Sequence, residues 1–335
     1  MAEIRVKDAG GHEYNVIEWR GMYFPLFPGI VPRLETLGTF ECRKDDILLL
    51  TYPKSGTRWI YYVVSMVKNN STDDPSMHSM YLEMLDQEDF AKMASPRILS
   101  SHLPIHLLPP DVWSKQIKII LVTRNPKDVA VSYYNFLKGL KKFEYSGPWE
   151  SYFPIFTQGK VPYGSWFDHT KEMCKRVDSY PNCLFLTYED MLKIYVYLTT
   201  CISLILVPYG SWFDHTKEMC KRVDSYPNCL FLTYEDMLKD LPASVKKINS
   251  FLGFERSDAF LEEVAQKCTF SSMKRSEETG EPQTYLKDGH RFYRKGQVAD
   301  WKNWFTVAQN EEFDELYHVK MADAPPDLKS RVVFE

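Results

Sequence analysis

Apolar and polar positions along the chain switch between two periods. Leu48, Leu49 and Leu50 form an unbroken apolar run; the polar loop TYPKSGT follows, and the next segment carries apolar residues at Trp59, Ile60, Val63, Val64 and Met66. A short apolar run bounded by a turn reads as a buried strand, and the spacing after it as an amphipathic helix. The pattern predicts a strand at 47–51, a tight loop and a helix at 57–69. A second apolar run, Gln116 to Thr123, ends where Asn125 and Pro126 break the strand, and Asp128 begins another helix. Two strands that each release polar, cationic residues from their C-terminal ends into a helix predict a parallel sheet with ligands at its carboxyl edge. Further along, SWFDHTKEMCKR reads as a helix and NCLFLTYEDM as a third buried strand. ASVKKINSFLGF reads as a helix ended near Gly253, and SDAFLEEVAQKC as another. The residues up to about 46, with the stretch GMYFPLFPGIVP, read as an irregular flap, and Ser271 to Thr306 as polar and loop-rich. The expected fold class is α/β, a single domain with a central parallel sheet flanked by helices.

An exact internal repeat changes the domain count. Residues 161–193, VPYGSWFDHTKEMCKRVDSYPNCLFLTYEDMLK, recur without a change at 207–239, an offset of 46 residues (207 minus 161). Removing one unit from 335 leaves 289 residues, a size suited to one α/β domain. Stacked-repeat folds need about three or more units, so two copies do not make a solenoid. The whole chain, 1–335, is therefore expected to be one domain carrying an extra segment, 161–206 or equivalently 194–239, that is extruded. A sheet has one place for this strand, so one copy docks and the other does not. The second copy is favoured, because its strand feeds directly into the helix of DLPASVKKINSFLGF.

Bulk properties narrow the function. Lys and Arg number 41 against 45 Asp and Glu, a net charge of −4, and basic residues form no run, which argues against nucleic acid as a partner. The opening MAEIRVKDAGGHEY has neither an apolar core nor a cleavage pattern, so secretion is not expected. Four of the seven cysteines (Cys174, Cys183, Cys220, Cys229) are two positions counted twice, and C-x-x-C spacing is absent. This suggests neither a zinc site nor a disulfide framework, and fits a reducing, cytoplasmic compartment. The most apolar stretch, Ile194 to Val207, is about four residues short of the ~18 that propose a membrane span; no membrane partner is expected.

The loop at 52–57 has the make-up of an anion cradle. Gly56 lets the backbone approach closely, backbone N–H groups converge at the helix start, and Lys54, Ser55 and Thr57 add a cation and two hydroxyls. It departs from the nucleoside-triphosphate signature G-x-x-x-x-G-K-[ST], since Lys54 precedes the glycine and no glycine opens the motif. TYPKSGT followed by Trp59 instead resembles the 5′-phosphosulfate loop of the cytosolic sulfotransferases, whose donor is 3′-phosphoadenosine 5′-phosphosulfate (PAPS). TRNPKDVAVS resembles that family's second phosphate loop and RKGQVADWKNWFT, at 294–306, its third block. The resemblance covers the chain apart from the extra 46 residues. It implies a PAPS-dependent sulfotransferase with a P-loop-like nucleotide-binding fold and no metal. Lys54, Ser55, Gly56 and Thr57 fall on the 5′-phosphosulfate contacts, and Arg124, Ser132, Arg294, Lys295 and Gly296 on the 3′-phosphate contacts. Trp59, Phe270 and a tyrosine of LTYED, either Tyr188 or the equivalent Tyr234, fall around the adenine.

ILSSHLPIHLLP, at 98–109, resembles the family's catalytic-histidine region and places His102 as the base that takes the acceptor's proton, a role neutral imidazole suits near pH 7. By the same resemblance Lys54 neutralises charge on the bridging oxygen, and Ser132 holds Lys54 away until acceptor arrives. His106, His169 and His215 read as structural or surface histidines. Four departures stand out: Ser100 where the family often has lysine, Arg58 where it has a small hydroxyl residue, Cys268 for a threonine near adenine, and Ala299 interrupting Gly-Asp-Trp. Lys302, Thr306, Val307 and Glu311 match the family's dimer motif, implying a homodimer. Tyr23, Phe24, Phe27, Tyr81 and Phe136 fit an apolar slot for a phenol, sterol or aryl amine. The alternatives are a donor-binding product whose turnover the duplication has impaired, and a nucleotide-dependent kinase, which the missing triphosphate loop disfavours.

Overall fold

A computed structural model describes residues 2–75, 81–177, 183–186, 240–280, 284–296 and 299–322. At its centre, four parallel strands lie in the order β5-β4-β6-β7, where β4 is Ile47–Thr51, β5 Ile98–Ser101, β6 Lys118–Val122 and β7 Cys183–Leu186. Strand β4 is buried at every position, as the unbroken apolar run requires of a strand covered on both faces. Its alternate residues serve two cores. Leu48 and Leu50 join Leu99, Ile119 and Leu121 on one face; Ile47 and Leu49 join Ile98, Ile120 and Val122 on the other. The second core is closed by three helices, Thr57–Asn69, Leu241–Leu252 and Asp258–Lys267. The first is closed by helices Pro126–Gly139 and Trp149–Thr157 with their many aromatic rings.

The helix after the loop spans Thr57–Asn69, as the periodicity predicts, and Gly253 ends Leu241–Leu252 in the left-handed conformation (φ 76°). Three expectations need correction. The opening segment is no irregular flap: β1 (Ala2–Lys7), β2 (Glu13–Trp19) and β3 (Met22–Phe24) form an antiparallel sheet. Arg20 and Gly21, both at positive φ, make the two-residue turn between β2 and β3. The alternation of charged with apolar residues in EIRVK and EYNVIEW carried that signal. Within the stretch read as loop, Phe270–Thr279 is a helix capped by Thr269, whose hydroxyl accepts the Ser272 N–H; it buries little besides Met273 and so shows little apolar period. Lastly, the place beside β6 is filled by the first copy of the repeat, with Ile119 opposite Cys183 and Val122 opposite Leu186. The helix before it, Trp166–Val177, is already docked through Trp166 and Phe167, which are fully buried against Phe313 and Tyr317. Only five residues separate that helix from β7, so strand and helix dock together. Tyr188, Tyr234 and the junction Ile194 to Val207 lie outside the described residues.

Candidate functional site

The carboxyl ends of β4, β5 and β6 open into one cavity of about 960 Å³. The loop leaving β4 turns sharply, with Lys54 at φ 68° and Gly56 at φ 104°, and Gly56 caps the following helix. This brings Lys54, Gly56, Thr57 and Trp59 to the cavity wall, while Ser55 is buried in the loop. The Ser55 hydroxyl is fully buried and finds no hydrogen-bond partner among the described residues. A buried hydroxyl in that state fits a loop built to receive an anion's oxygen.

Cations converge on this loop. Arg124, at the end of β6, donates from Nη1 to the Lys54 carbonyl at 3.2 Å. Lys54 Nζ sits over the rings of Phe136 (4.3 Å to the centroid) and Phe292 (5.5 Å). Burial, then the charges of Arg124 and Arg58, pull the Lys54 ammonium down to about 7, with Glu277 opposing and Arg294 adding to the effect. Such crowding of like charge suits the binding of an anion. Arg58, the residue that replaces a small hydroxyl, stacks on Phe292 at 4.2 Å and faces Glu277 at 3.7 Å.

The third block closes over the same cavity. Gly296 has φ 62°, and a Cβ there would lie 2.3 Å from the Phe270 ring, so only glycine fits. Asp128, in the first turn of the helix Pro126–Gly139, accepts the backbone N–H groups of Ala299 (2.9 Å) and Trp301 (3.0 Å) and so ties that helix to the third block. Asp300 accepts from both Lys295 (2.7 Å) and Arg294. Burial works against its charge, but hydrogen bonds from Lys295, Arg294 and Asn303 hold it down at about 2. Trp59, nearly buried, donates its indole N–H to the Cys268 carbonyl at 2.9 Å, and Phe270 meets Tyr293 edge-on at 6.1 Å. Both Trp59 and Phe270 line the cavity, as does Ser132.

His102 follows β5 and faces the same space. Its Nδ1 lies 2.8 Å from the Thr51 carbonyl oxygen, an acceptor only, so Nδ1 carries the hydrogen and Nε2 holds the lone pair. Burial, with the nearby Lys54 charge adding and the Thr51 bond opposing, lowers its pKa to about 4; the ring is neutral at pH 7. Tyr81 and Tyr163 flank it at 4.9 and 5.3 Å. His169 is buried behind it, its Nε2 3.2 Å from the His102 carbonyl oxygen, whereas His106 is exposed and paired with Glu172. His215 lies outside the described residues.

The cavity thus brings together Lys54, Gly56, Thr57, Trp59, His102, Arg124, Ser132, Phe270, Arg294, Lys295 and Gly296. Of the aromatic residues expected around an acceptor, Phe27, Tyr81 and Phe136 line it. Phe24 does not; it is buried in the core against Trp19 and Tyr163. Tyr23 lies at the core's edge and off the wall. Sequence reasoning missed Tyr163, Phe292 and Tyr293, which line the wall, and Asp128 and Asp300, which pin its loops. Asp128 carried a signal as an acidic residue in a helix's first turn; the others look like ordinary core or loop residues in sequence. Among the described residues no group of three or more His, Cys, Asp or Glu side chains could hold a metal ion, and no helix is long and apolar enough to cross a membrane.

Residues 44–194 and 200–325 match the family model described as "Sulfotransferase domain". Human sulfotransferase 1C2 is 33% identical over 312 residues, covering 88% of this chain and 90% of the relative; the rat protein is 32% identical over 313 residues, covering 89% and 90%. Among solved structures, mouse sulfotransferase SULT7A1 complexed with PAP is 29% identical, with a TM-score of 0.66 over 92% of this chain and 96% of that one. The parallel sheet, the loop at its carboxyl edge and the sequence matches over nearly the whole chain lead to one conclusion: the chain is a member of the sulfotransferase family.

Proposed function

We propose that the protein moves the sulfuryl group of PAPS to the hydroxyl or amine of a small apolar acceptor, a phenol, sterol or aryl amine, with His102 as the base. The observation that carries this reading is the shared cavity, in which the cations of the loop and His102, its Nδ1 held by the Thr51 carbonyl, face one space. The residues fit the donor's charges. Lys54, Ser55, Gly56 and Thr57 receive the 5′-phosphosulfate; Arg124, Ser132, Arg294, Lys295 and Gly296 receive the 3′-phosphate; Trp59 and Phe270 frame the base, with Tyr188 or Tyr234 completing the set.

In the transfer, the acceptor's oxygen or nitrogen bonds to sulfur while the bond from sulfur to the 5′-phosphate oxygen breaks and its electron pair stays on that phosphate. His102 Nε2 takes the acceptor's proton, and Lys54 offsets the charge that collects on the leaving oxygen. As in phosphoryl transfer, most of the acceleration comes from positioning and charge stabilisation. Lys302, Thr306, Val307 and Glu311 form the contact of a homodimer: all four are exposed, Val307 to 76%. The compartment is the cytoplasm.

The test is transfer of label from PAPS to a panel of phenols, sterols and aryl amines by the full chain, by His102→Ala and by a chain lacking 161–206. Loss of turnover in His102→Ala, on the order of 10²-fold or more as for removal of a general base, with the full chain active supports the reading. Turnover by the shortened chain alone assigns the chemistry to the family and makes the full chain its impaired product. Transfer from ATP instead would overturn it.

A further inference from the structure

Behind His102 lies a buried carboxylate outside the cavity lining. Residues 81–83 run along the outer edge of β5: Tyr81 bridges to Ser100, and the Leu82 N–H donates to the Ser100 carbonyl at 2.8 Å. Arg33, itself buried, donates from Nε to the Leu82 carbonyl at 2.8 Å. This anchoring delivers Glu83, which is fully buried, under the turn that leaves β5. One Glu83 oxygen accepts the His102 backbone N–H at 2.9 Å, and the other accepts the Ser101 hydroxyl at 3.0 Å. Ser101 Oγ in turn accepts the Leu103 N–H at 3.0 Å. A single carboxyl therefore holds three consecutive residues, with His102 in the middle.

A carboxylate is a costly choice for stapling a turn, because burial disfavours its charge. Burial does push Glu83 up to about 7, against the pull of the His102 N–H, its own backbone and the Ser101 hydroxyl. The groups that face it are Arg33, Tyr81 and Tyr163. It bonds the main chain of His102 and not the ring, whose Nδ1 goes to Thr51. Its action on the imidazole is therefore one of reach.

The geometry points to Glu83 as a positioning residue for sulfuryl transfer: by holding the His102 N–H and the Ser101 hydroxyl together, it fixes the turn that keeps Nδ1 on the Thr51 carbonyl and Nε2 toward the acceptor. This rests on His102 being the base. Glutamine at this position keeps the reach, its carbonyl accepting the His102 N–H and its NH₂ meeting Ser101 Oγ. Aspartate keeps the charge but is one methylene too short to hold both.

The experiment compares kcat, donor KM and acceptor KM, per folded molecule, for Glu83→Gln, Glu83→Asp, Ser101→Ala and His102→Ala in the full chain. ¹⁵N-histidine NMR reads the His102 tautomer in each. Glu83→Gln is expected to stay within about threefold of the parent in kcat, and Glu83→Asp to fall on the order of 10²-fold, as for a misplaced catalytic group, with donor KM unchanged and a mixed tautomer. Ser101→Ala, which keeps the His102 bond and frees the second oxygen, falls between, roughly tenfold, and keeps the test alive if Glu83→Asp does not fold. Two results overturn the role while leaving His102 as base: Glu83→Asp retaining kcat while His102→Ala is inactive, or Glu83→Gln losing as much as Glu83→Asp with the tautomer intact. Activity surviving in His102→Ala overturns the base assignment itself, and Glu83's role with it.

Discussion

The wall of the cavity proposed for the donor is made of loops pinned by charge and by backbone conformation, while the wall proposed for the acceptor is made of rings whose side chains are placed chiefly by packing. On the donor side Arg124 holds the Lys54 carbonyl, Asp128 holds the Ala299 and Trp301 amides, and Asp300 holds Arg294 and Lys295. On the proposed acceptor side Phe27, Tyr81, Phe136 and Tyr163 come from four separate segments of the wall. The rings of Tyr81 and Tyr163 meet His102 by contact, while the backbone of Tyr81 is bridged to Ser100 and the Tyr163 N–H donates to the Tyr23 carbonyl. The difference teaches where precision is needed. A polyanion must meet fixed donors at hydrogen-bond distance, whereas an apolar acceptor needs a shape, and shape tolerates substitution better than charge does.

The largest break in that contrast comes at Lys54. Lys54→Met should lower kcat on the order of 10²- to 10³-fold, as for other removed charge-stabilising groups, while acceptor binding measured by fluorescence quenching stays the same. The same residue sets an alkaline limb. With the ammonium at about 7 in the free protein, rising pH removes the charge proposed to receive the donor, so on that reading binding of PAP should weaken about tenfold for each pH unit above that value. Lys54→Met should flatten the slope. A slope that persists in the variant would assign the limb to another group.

Gly296 comes next. A Cβ 2.3 Å from the Phe270 ring must push that ring or the loop aside, and overpacking of this kind costs about 1–3 kcal/mol. Gly296→Ala should therefore raise the Kd for PAP by roughly tenfold or more, read by calorimetry, and leave the acceptor KM alone. Equal affinity in the variant would show that the RKG turn moves freely and that the donor wall is less fixed than its hydrogen bonds imply.

The two walls also differ in how legible they are in the sequence. The proposed donor loops are contiguous along the chain: Lys54 stands out from a strand end, a polar loop and a helix start, and Arg124 and the 294–296 string through their resemblance to the family's blocks. The boundaries 47–51 and 57–69 follow from an apolar run and a helical period that nothing interrupts. The acceptor wall is assembled from distant rings, and sequence cannot tell a wall aromatic from a core one: Phe24 went to the core and Tyr163 to the wall. Glu83 was invisible for a further reason, since its role lies in burial and in two bonds to residues 18 and 19 positions away. The repeat was plain in sequence, yet identical copies carry no information on which one docks. In the structure the first copy holds the place beside β6, and its own helix is packed through Trp166 and Phe167.

Phe136 belongs to both proposed walls, its ring lying beneath Lys54 and lining the cavity. Phe136→Ala should raise acceptor KM several-fold; the loss of a cation–π contact worth about 0.5–1 kcal/mol should weaken PAP binding by roughly two- to fivefold. Phe136→Leu should restore the first and not the second, which separates shape from charge at one position. Parallel recovery of both would mean that the ring acts only as filler.

The smallest effect tests whether the donor wall's pinning carries strain. Ala299 stands where the family pattern has glycine, and it adopts φ 59°, a left-handed conformation that costs a residue with a Cβ roughly 1 kcal/mol. The Asp128 carboxylate, by accepting the Ala299 N–H at 2.9 Å, holds it there. Ala299→Gly removes the steric penalty and adds chain entropy to the unfolded state, so the net gain should be a fraction of a kcal/mol, about 1–2 °C in Tm. Asp128→Asn should reverse the sign of that comparison, because a weaker acceptor lets Ala299 relax out of the left-handed region and the loop of Arg294 and Lys295 with it. If Ala299→Gly stabilises the protein equally with and without Asp128, the backbone conformation is set by the turn itself, and the carboxylate serves only to join the helix Pro126–Gly139 to the 299–301 turn.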